Sequence, residues 1–200
     1  MDNLIRIYGN VMSSEKCQYF VDKFEAHPEM HKVQVTRNNE EEKTTLTRLN
    51  LLKKVDTPFK EDSKFLGNLF RENVERYIGD CQIKSFQIPD KFSFEAFVIK
   101  RYLPDTDEEF PPHVDVSGAE HGKRFLVMLM YLTDNDAGQT ELEVLAHDNL
   151  GFEFGSSSCQ RGNILMFPPY WPWVHAGKVP TKKPKYILGT YCQYNSDTPE

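Results

Sequence analysis

Eight consecutive residues, Phe125-Leu126-Val127-Met128-Leu129-Met130-Tyr131-Leu132, are apolar on both alternating faces. A strand with one face in water would alternate apolar and polar, so this run predicts a strand covered on both sides. A buried helix would look similar over so short a length. The surrounding sequence favours the strand. Phe94 to Tyr102 is rich in β-formers, and Thr140 to Ala146, Asn163 to Phe167, Val174-His175 and Tyr186 to Tyr194 read as further short strands. Turn formers separate them at Asn135-Asp136-Ala137-Gly138, Arg161-Gly162-Asn163 and Pro168-Pro169. Strands and turns at this spacing predict a two-sheet roll or barrel.

Before about residue 92 the texture is helical. Ser13 or Ser14 can cap a helix whose apolar stripe is Cys17, Phe20, Val21 and Phe24, ended by His27-Pro28. A second helix is expected from near Asp62 or Ser63. Its stripe is Phe65, Leu66, Leu69, Phe70, Val74, Tyr77 and Ile78, with Gly79 placed to stop it. The charged run Arg37 to Lys43 between the helices reads as a solvated loop, or as a lid over an active site. The tail from Asn195 to Glu200 is expected to be loose. There is no internal repeat. The organisation expected is a single domain over 1–200, with helical support over about 1–90 and a β core over about 91–195.

Composition narrows the function classes. Hydrophobic residues make up 39% and aromatic residues 12% of the chain, enough for a packed core. Acidic residues outnumber basic ones, 30 to 24, giving a formal charge of -6. That balance argues against general nucleic-acid binding, which depends on neutralising phosphates. The first residues show no secretion signal, and no apolar stretch approaches membrane-spanning length. The four cysteines, Cys17, Cys81, Cys159 and Cys192, form no CxxC pair and are expected to be reduced thiols in a cytoplasmic protein.

The residues that carry chemistry are His113, Asp115 and His175. Side chains at i and i+2 project from one side of a strand, so His113 and Asp115 can reach one metal from one strand end. Pro111 and Pro112 stiffen the approach and set where that strand begins. His175 must come from elsewhere in the roll. Two imidazoles and a carboxylate can hold one face of a non-haem Fe(II) and leave the opposite face open. The remaining histidines, His27, His31, His121 and His147, read as surface or loop residues.

From about Phe94 to Tyr194 the chain resembles the Fe(II)/2-oxoglutarate dioxygenases, in particular their prolyl 4-hydroxylase-like branch. The resemblance is carried by Arg101-Tyr102-Leu103-Pro104 before His113-Val114-Asp115 and by Met130-Tyr131-Leu132-Thr133-Asp134. It continues in Ala137-Gly138-Gln139-Thr140, Arg161 to Phe167, and His175-Ala176-Gly177-Lys178-Val179-Pro180 through Lys185-Tyr186. It implies a double-stranded β-helix core, jelly-roll or cupin-like, supported by N-terminal α-helices. It also implies Fe(II), 2-oxoglutarate and O2, with ascorbate as a reductant.

Position by position, His113, Asp115 and His175 match the iron ligands. Lys185 matches the basic residue that pairs with the far carboxylate of 2-oxoglutarate, a role suited to a buried cation facing a dianion. Tyr131 matches a phenol donating to that carboxylate, and Tyr102 a phenol near the iron-bound end. Thr140 is expected to line the same pocket. Core packing is the alternative for both tyrosines. Arg124 matches an arginine near the peptide groove of relatives. Trp173, two residues before His175, is expected to wall the site or fill the core. Pro184 stands where many relatives have glycine, and Gln139 where the turn usually carries an acid. Lys183 shares a strand face with Lys185 and Lys182 does not, and the spacing in relatives favours Lys185 as the anchor.

The reaction implied is hydroxylation of an unactivated C–H bond with release of succinate and CO2. Relatives that halogenate lack the carboxylate that Asp115 provides. The nearest resemblance points to a prolyl residue in a peptide or protein. Free proline or another small molecule is the alternative. Two other classes stay open: a cupin-like metalloprotein with non-oxidative chemistry, and a binding module on the same scaffold.

Overall fold

The computed structural model describes residues 4–38, 41–51, 59–145 and 152–195, with side chains omitted at 36–38, 41–42, 143–145 and 152–156. Twelve strands and two α-helices follow in the order β1 (Arg6–Tyr8), α1 (Ser14–Glu25), β2 (Lys32–Asn38), β3 (Glu41–Leu51), α2 (Lys60–Asp80), β4 (Phe92–Phe94), β5 (Phe97–Tyr102), β6 (Phe110–His113), β7 (Arg124–Tyr131), β8 (Asn135–Leu145), β9 (Phe152–Cys159), β10 (Ile164–Phe167), β11 (Trp173–Gly177) and β12 (Lys185–Tyr194). The larger sheet runs β1-β10-β7-β12-β5-β3-β2, with β4 joined to β12. The smaller runs β6-β11-β8-β9. All pairings are antiparallel. This is the double-stranded β-helix with N-terminal helices that the resemblance implied.

The apolar run explains the layering. β7 lies between β10 and β12 in the larger sheet. Its side chains alternate: Leu126, Met128 and Met130 join the core under the helices, while Val127, Leu129 and Tyr131 join the core between the sheets. The helical side is filled by Phe20, Phe24, Leu66, Phe70 and Val74, each 0% exposed. β12 alternates in the same way, with Tyr186 and Leu188 toward the helices and Ile187 toward the smaller sheet.

Both helices form where their stripes lie. Ser13 caps α1, its hydroxyl accepting from the Lys16 N–H at 3.2 Å. The helices are clamped together by the buried Asp62 carboxylate, which accepts from Tyr19 at 2.9 Å and from Lys23. α2 does not stop at Gly79. It continues to Asp80, and Gln82 takes the left-handed conformation (φ 53°). Ile83 N–H then donates to Ile78 C=O and Gln82 N–H to Gly79 C=O, so the helix end is closed by a Schellman pair with a glutamine where glycine is usual. Phe65 is 40% exposed and lies at the edge of the expected stripe.

Several expectations are corrected. The region read as helical support also supplies β1, β2 and β3 to the larger sheet. The charged run 37–43 is not a loop. Arg37 pairs with Glu42 and Asn38 with Glu41 in the β2–β3 hairpin, with residues 39 and 40 outside the described residues. The run lacks apolar alternation, so it read as loop. Strand pairing uses backbone groups, and burial of Leu46, Leu49 and Leu51 further along β3 anchors the hairpin. β9 was not among the strands expected, yet it pairs with β8 through most of its length. Asn135 to Gly138, expected as a turn, begins β8 across a register shift. Ala146, His147 and the tail beyond Asn195 lie outside the described residues.

Gly162 ties the N-terminal segment to the roll. Its φ is 80°, and its carbonyl accepts from the N–H groups of Val11 and Met12. A Cβ built there would lie 2.3 Å from the Met12 carbonyl oxygen. Gly162→Ala therefore combines left-handed strain with a backbone clash, and is expected to lower unfolding free energy by about 2 kcal/mol or more. Chemical denaturation of the two proteins measures this, and equal midpoints would refute it.

Candidate functional site

β6 is the edge strand of the smaller sheet, which is where two consecutive prolines can sit without breaking a hydrogen-bond ladder. They lie inside the strand rather than before it. β6 pairs with β11 so that His113 and His175 are direct cross-strand partners, with a register irregularity between His175 and Gly177. The two rings come to 4.2 Å between centres. Asp115 lies past the end of β6, and its loop is tied down by Asp115 N–H and Val116 N–H, both donating to Pro169 C=O at 3.1 Å.

The three side chains converge. One ligand atom from each of His113, Asp115 and His175 lies within 4.8 Å of the others, and this is a group that can hold a metal ion. His175 Nε2 is 3.2 Å from Asp115 Oδ2, and His113 Nε2 is 3.8 Å from Asp115 Oδ1. Donors bound at about 2.1 Å on adjacent corners of one metal stand about 3 Å apart, so the spacing fits.

The hydrogen bonds fit as well. His113 Nδ1 lies 2.8 Å from Pro111 C=O, and His175 Nδ1 lies 3.2 Å from Trp173 C=O. A carbonyl can only accept, so each Nδ1 carries a ring proton and each Nε2 is the nitrogen turned to the site. Asp115 Oδ2 is buried without a hydrogen bond. Two inward imidazole nitrogens beside a buried carboxylate oxygen without a hydrogen bond suit a cation.

The electrostatics agree. Burial, then the neighbouring His175, pushes His113 down to about 4, so it is a neutral ligand at neutral pH. Burial opposes the Asp115 carboxylate, but the adjacent His175 and the Tyr191 hydroxyl outweigh it and hold the carboxyl well below its usual range. Tyr191 was not among the residues expected here. Its hydroxyl donates to Asp115 Oδ1 at 2.6 Å, and burial and that carboxylate push the phenol well above its ordinary range.

The other expected residues fall into place unevenly. Lys185 is 0% exposed, and its ammonium donates to Gly138 C=O at 2.8 Å and Lys178 C=O at 2.7 Å, with the Tyr102 ring 3.9 Å away. The Tyr131 hydroxyl donates to Thr140 Oγ1 at 2.8 Å and meets Ser157 Oγ. Tyr102 and Thr140 line a small pocket together with His113, Asp115 and His175. Lys185 and Tyr131 lie in contact with these two residues. A larger cavity of about 430 Å³ opens on the other side of His113 and Asp115.

Arg124 reaches that cavity, but its groups are already engaged. Glu95 takes Nε and Nη2 at 2.6 and 2.9 Å, Asp115 C=O takes Nη1 at 3.0 Å, and the guanidinium lies 3.9 Å from the Tyr191 ring centre. Trp173 does not wall this site. Its side chain lines an apolar hollow with Leu4, Tyr77 and Tyr170, and only its carbonyl serves His175. His121, expected as a surface histidine, lines the large cavity. His31 is a packing residue stacked on Phe24 at 4.0 Å.

Lys100, Arg48 and Asn50 on the large cavity were also not anticipated. Lys100 and Tyr191 were accessible to a period-two reading, since Lys100 is two residues from Tyr102 and Tyr191 six from Lys185 on alternating strands. Arg48 and Asn50 lay in a strand that the pattern did not show.

The Tyr191 contact has a measurable consequence. Tyr191→Phe keeps the ring and removes the donor that orients Asp115. Metal affinity is expected to fall about 10- to 100-fold, read by titration of the metal-free protein with Fe(II) or Mn(II). An unchanged affinity would show that Asp115 is oriented by its backbone alone.

The 2OG-Fe(II) oxygenase superfamily matches residues 97–193. No curated protein sequence matches the chain. Among solved structures, a Trichoplax adhaerens prolyl hydroxylase in complex with a hypoxia inducible factor peptide fragment superposes with TM-score 0.70 at 15% identity, over 96% of this chain and 84% of that one. A viral collagen prolyl hydroxylase from Paramecium Bursaria Chlorella virus-1, in complex with 2OG, gives 0.60 at 13% identity over 96% and 97%. A non-haem alpha-ketoglutarate-dependent carbocyclase from nogalamycin biosynthesis gives 0.68 at 10% identity over 95% and 79%. At these identities the likeness is one of fold. With the superfamily match across the β core that bears His113, Asp115 and His175, the chain belongs to the 2OG-Fe(II) oxygenase superfamily and is a dioxygenase dependent on Fe(II), 2-oxoglutarate and O2.

Proposed function

We propose that this dioxygenase hydroxylates an unactivated C–H bond of a prolyl residue in a peptide or protein, with succinate and CO2 as co-products. The observation that carries the reading is the pair of Nε2 atoms converging with the Asp115 carboxylate on one point. His113, Asp115 and His175 hold the iron. Bound there, Fe(II) supplies activation of dioxygen, coupled to oxidative decarboxylation of 2-oxoglutarate. Relatives of the same fold include a prolyl hydroxylase bound to a peptide fragment and a carbocyclase. The first supports the prolyl substrate, and the second keeps free proline or another small molecule as the alternative. Superfamily membership weighs against non-oxidative cupin-like chemistry and against an inactive binding module.

The chain's own residues do the seating. An ammonium has three donors, and Lys185 uses two on the carbonyls of Gly138 and Lys178. The third is free for the far carboxylate of 2-oxoglutarate. Tyr131 and Thr140 supply hydroxyls close by, and Tyr102 closes the pocket toward the metal. The apolar residues Val127, Leu129 and Ile187 line the same pocket and keep water out. Asp115 completes a three-ligand set consistent with hydroxylation. Arg124 supports the reaction as a positioning residue through Glu95 and the Asp115 carbonyl.

The whole chain is taken as one domain, because strands from its first quarter complete the sheet that carries Lys185. Four free cysteines suit a cytoplasmic setting, with ascorbate as the reductant. Among the described residues, no helix is long and apolar enough to cross a membrane.

Two measurements test the reading. Anaerobic addition of Fe(II) and 2-oxoglutarate should give a visible charge-transfer band, absent in His175→Ala, which should also release no succinate. Equal turnover by that variant would end the case. The second is pH dependence. Burial pushes the Lys185 ammonium down to about 8, so the free site holds the charge below that pH and loses it above. Affinity for 2-oxoglutarate is therefore expected to be flat below about pH 7. Above about pH 8 it should fall by up to about tenfold per pH unit. Lys185→Met should bind weakly at every pH. A wild-type affinity that rises with pH would exclude Lys185 as the anchor.

A further inference from the structure

The large cavity beside His113 and Asp115 holds a charge arrangement that iron and 2-oxoglutarate do not explain. Three cationic side chains reach its wall: Arg48, Lys100 and Arg124. Arg124 is neutralised by the two-oxygen clamp of Glu95. The other two have no such partner. Arg48 on β3 and Lys100 on β5 are direct cross-strand partners, so two like charges stand opposite each other on one sheet face. Among the described residues neither makes an ion pair or side-chain hydrogen bond. Burial pushes the Lys100 ammonium below its ordinary range, the Asp115 carboxylate opposes that without forming an ion pair, and the Phe110 ring lies 5.7 Å away. Arg48 Nε is buried without a partner, and so is Asn50 Oδ1, two residues along β3 on the same face.

Like charges opposite one another weaken strand pairing, and burying a polar group without a partner adds to the cost. The fold tolerates both at one spot, and that spot faces an open cavity. An anion between Arg48 and Lys100 would remove the repulsion and supply the missing acceptor. A carboxylate suits the planar guanidinium fork, with the ammonium as a second, more flexible donor. Asn50 can then bond the edge of the group that carries it.

We propose that the substrate bears a carboxylate that docks on Arg48 and Lys100. This anion seat is separate from Lys185, whose ammonium lies against the Tyr102 ring at 3.9 Å and lines neither cavity. Lys100 lines both cavities, together with His113 and Asp115. The carboxylate therefore belongs to the residue that carries the reacting carbon or to its immediate neighbour. The inference rests on the cavity being the substrate chamber of the oxygenase proposed above. Its candidates are free proline, whose own carboxylate would dock, and a prolyl peptide with an acidic residue beside the proline.

Paired probes test it. L-proline is compared with L-prolinamide, and an acetylated Pro-Glu dipeptide amide with its Pro-Gln counterpart. Binding is followed anaerobically by the shift each causes in the Fe(II)–2-oxoglutarate band, and turnover by coupled succinate release. The acid of at least one pair should bind about tenfold or more tightly than its neutral partner, and the pair that responds identifies the source of the carboxylate. Arg48→Gln and Lys100→Met should each weaken that acid by about 10- to 100-fold, and Arg48→Gln, which lies on the large cavity alone, should shift 2-oxoglutarate affinity less than twofold.

Equal binding within both pairs, or no binding of either acid, overturns the proposal while the intact band leaves the oxygenase reading standing. So does an equal loss of 2-oxoglutarate affinity in Arg48→Gln, which would assign that cation to the cosubstrate. A wild-type protein that gives no band overturns both. Should Lys100→Met fail to fold, Arg48→Glu gives the same answer by reversing the preference within the responding pair.

Discussion

The site depends on two backbone carbonyls. Pro111 and Trp173 each accept the Nδ1 proton of a histidine two residues further along the same strand. That contact fixes the tautomer and turns each Nε2 inward. It also explains why the histidines sit on paired strands. The β6–β11 register sets His113 opposite His175, and the backbone that pairs the strands also orients the rings. Asp115 needs other means because it lies beyond the ladder. Its backbone N–H is held by Pro169, its carbonyl by Arg124 and its carboxylate by Tyr191. A metal site built this way costs little to organise when the ion arrives, because the donors are already aimed.

Around that centre the structure distributes buried charge in two ways. Charges that organise the protein are compensated. Asp62 meets Lys23 and Tyr19, Arg124 meets Glu95, and Lys185 meets two carbonyls. Two of the cations on the cavity wall are not: Arg48 and Lys100 stand opposite each other and neither forms an ion pair among the described residues. Uncompensated charge is unfavourable in a folded protein, so its placement at an open cavity is informative about what enters.

Much of the fold was legible in the residues. An unbroken apolar run marked β7, a short strand-like stretch marked β12, and helical stripes marked α1 and α2 to within a turn. The HxD pair and the distal histidine stood out because few side chains can ligate a metal. What escaped notice shares a physical cause. β2, β3 and β9 are polar strands held by backbone pairing to neighbours distant in sequence, so local pattern is weak in them. Trp173 was expected either to wall the site or to fill the core, and it fills the core. The local backbone delivers its carbonyl there and its ring to another hollow.

The amino-acid sequence alone determined which groups could act: two imidazoles, a carboxylate, a lysine and a strand greasy enough to sit between two layers. Those are properties of side-chain chemistry and short-range period, and they need no partner. Tertiary structure decided which nitrogen of each ring is free, which arginine is already neutralised and which cations face an open chamber. These outcomes follow from cross-strand register and burial, which join residues far apart in the chain. No local pattern in the sequence encodes them.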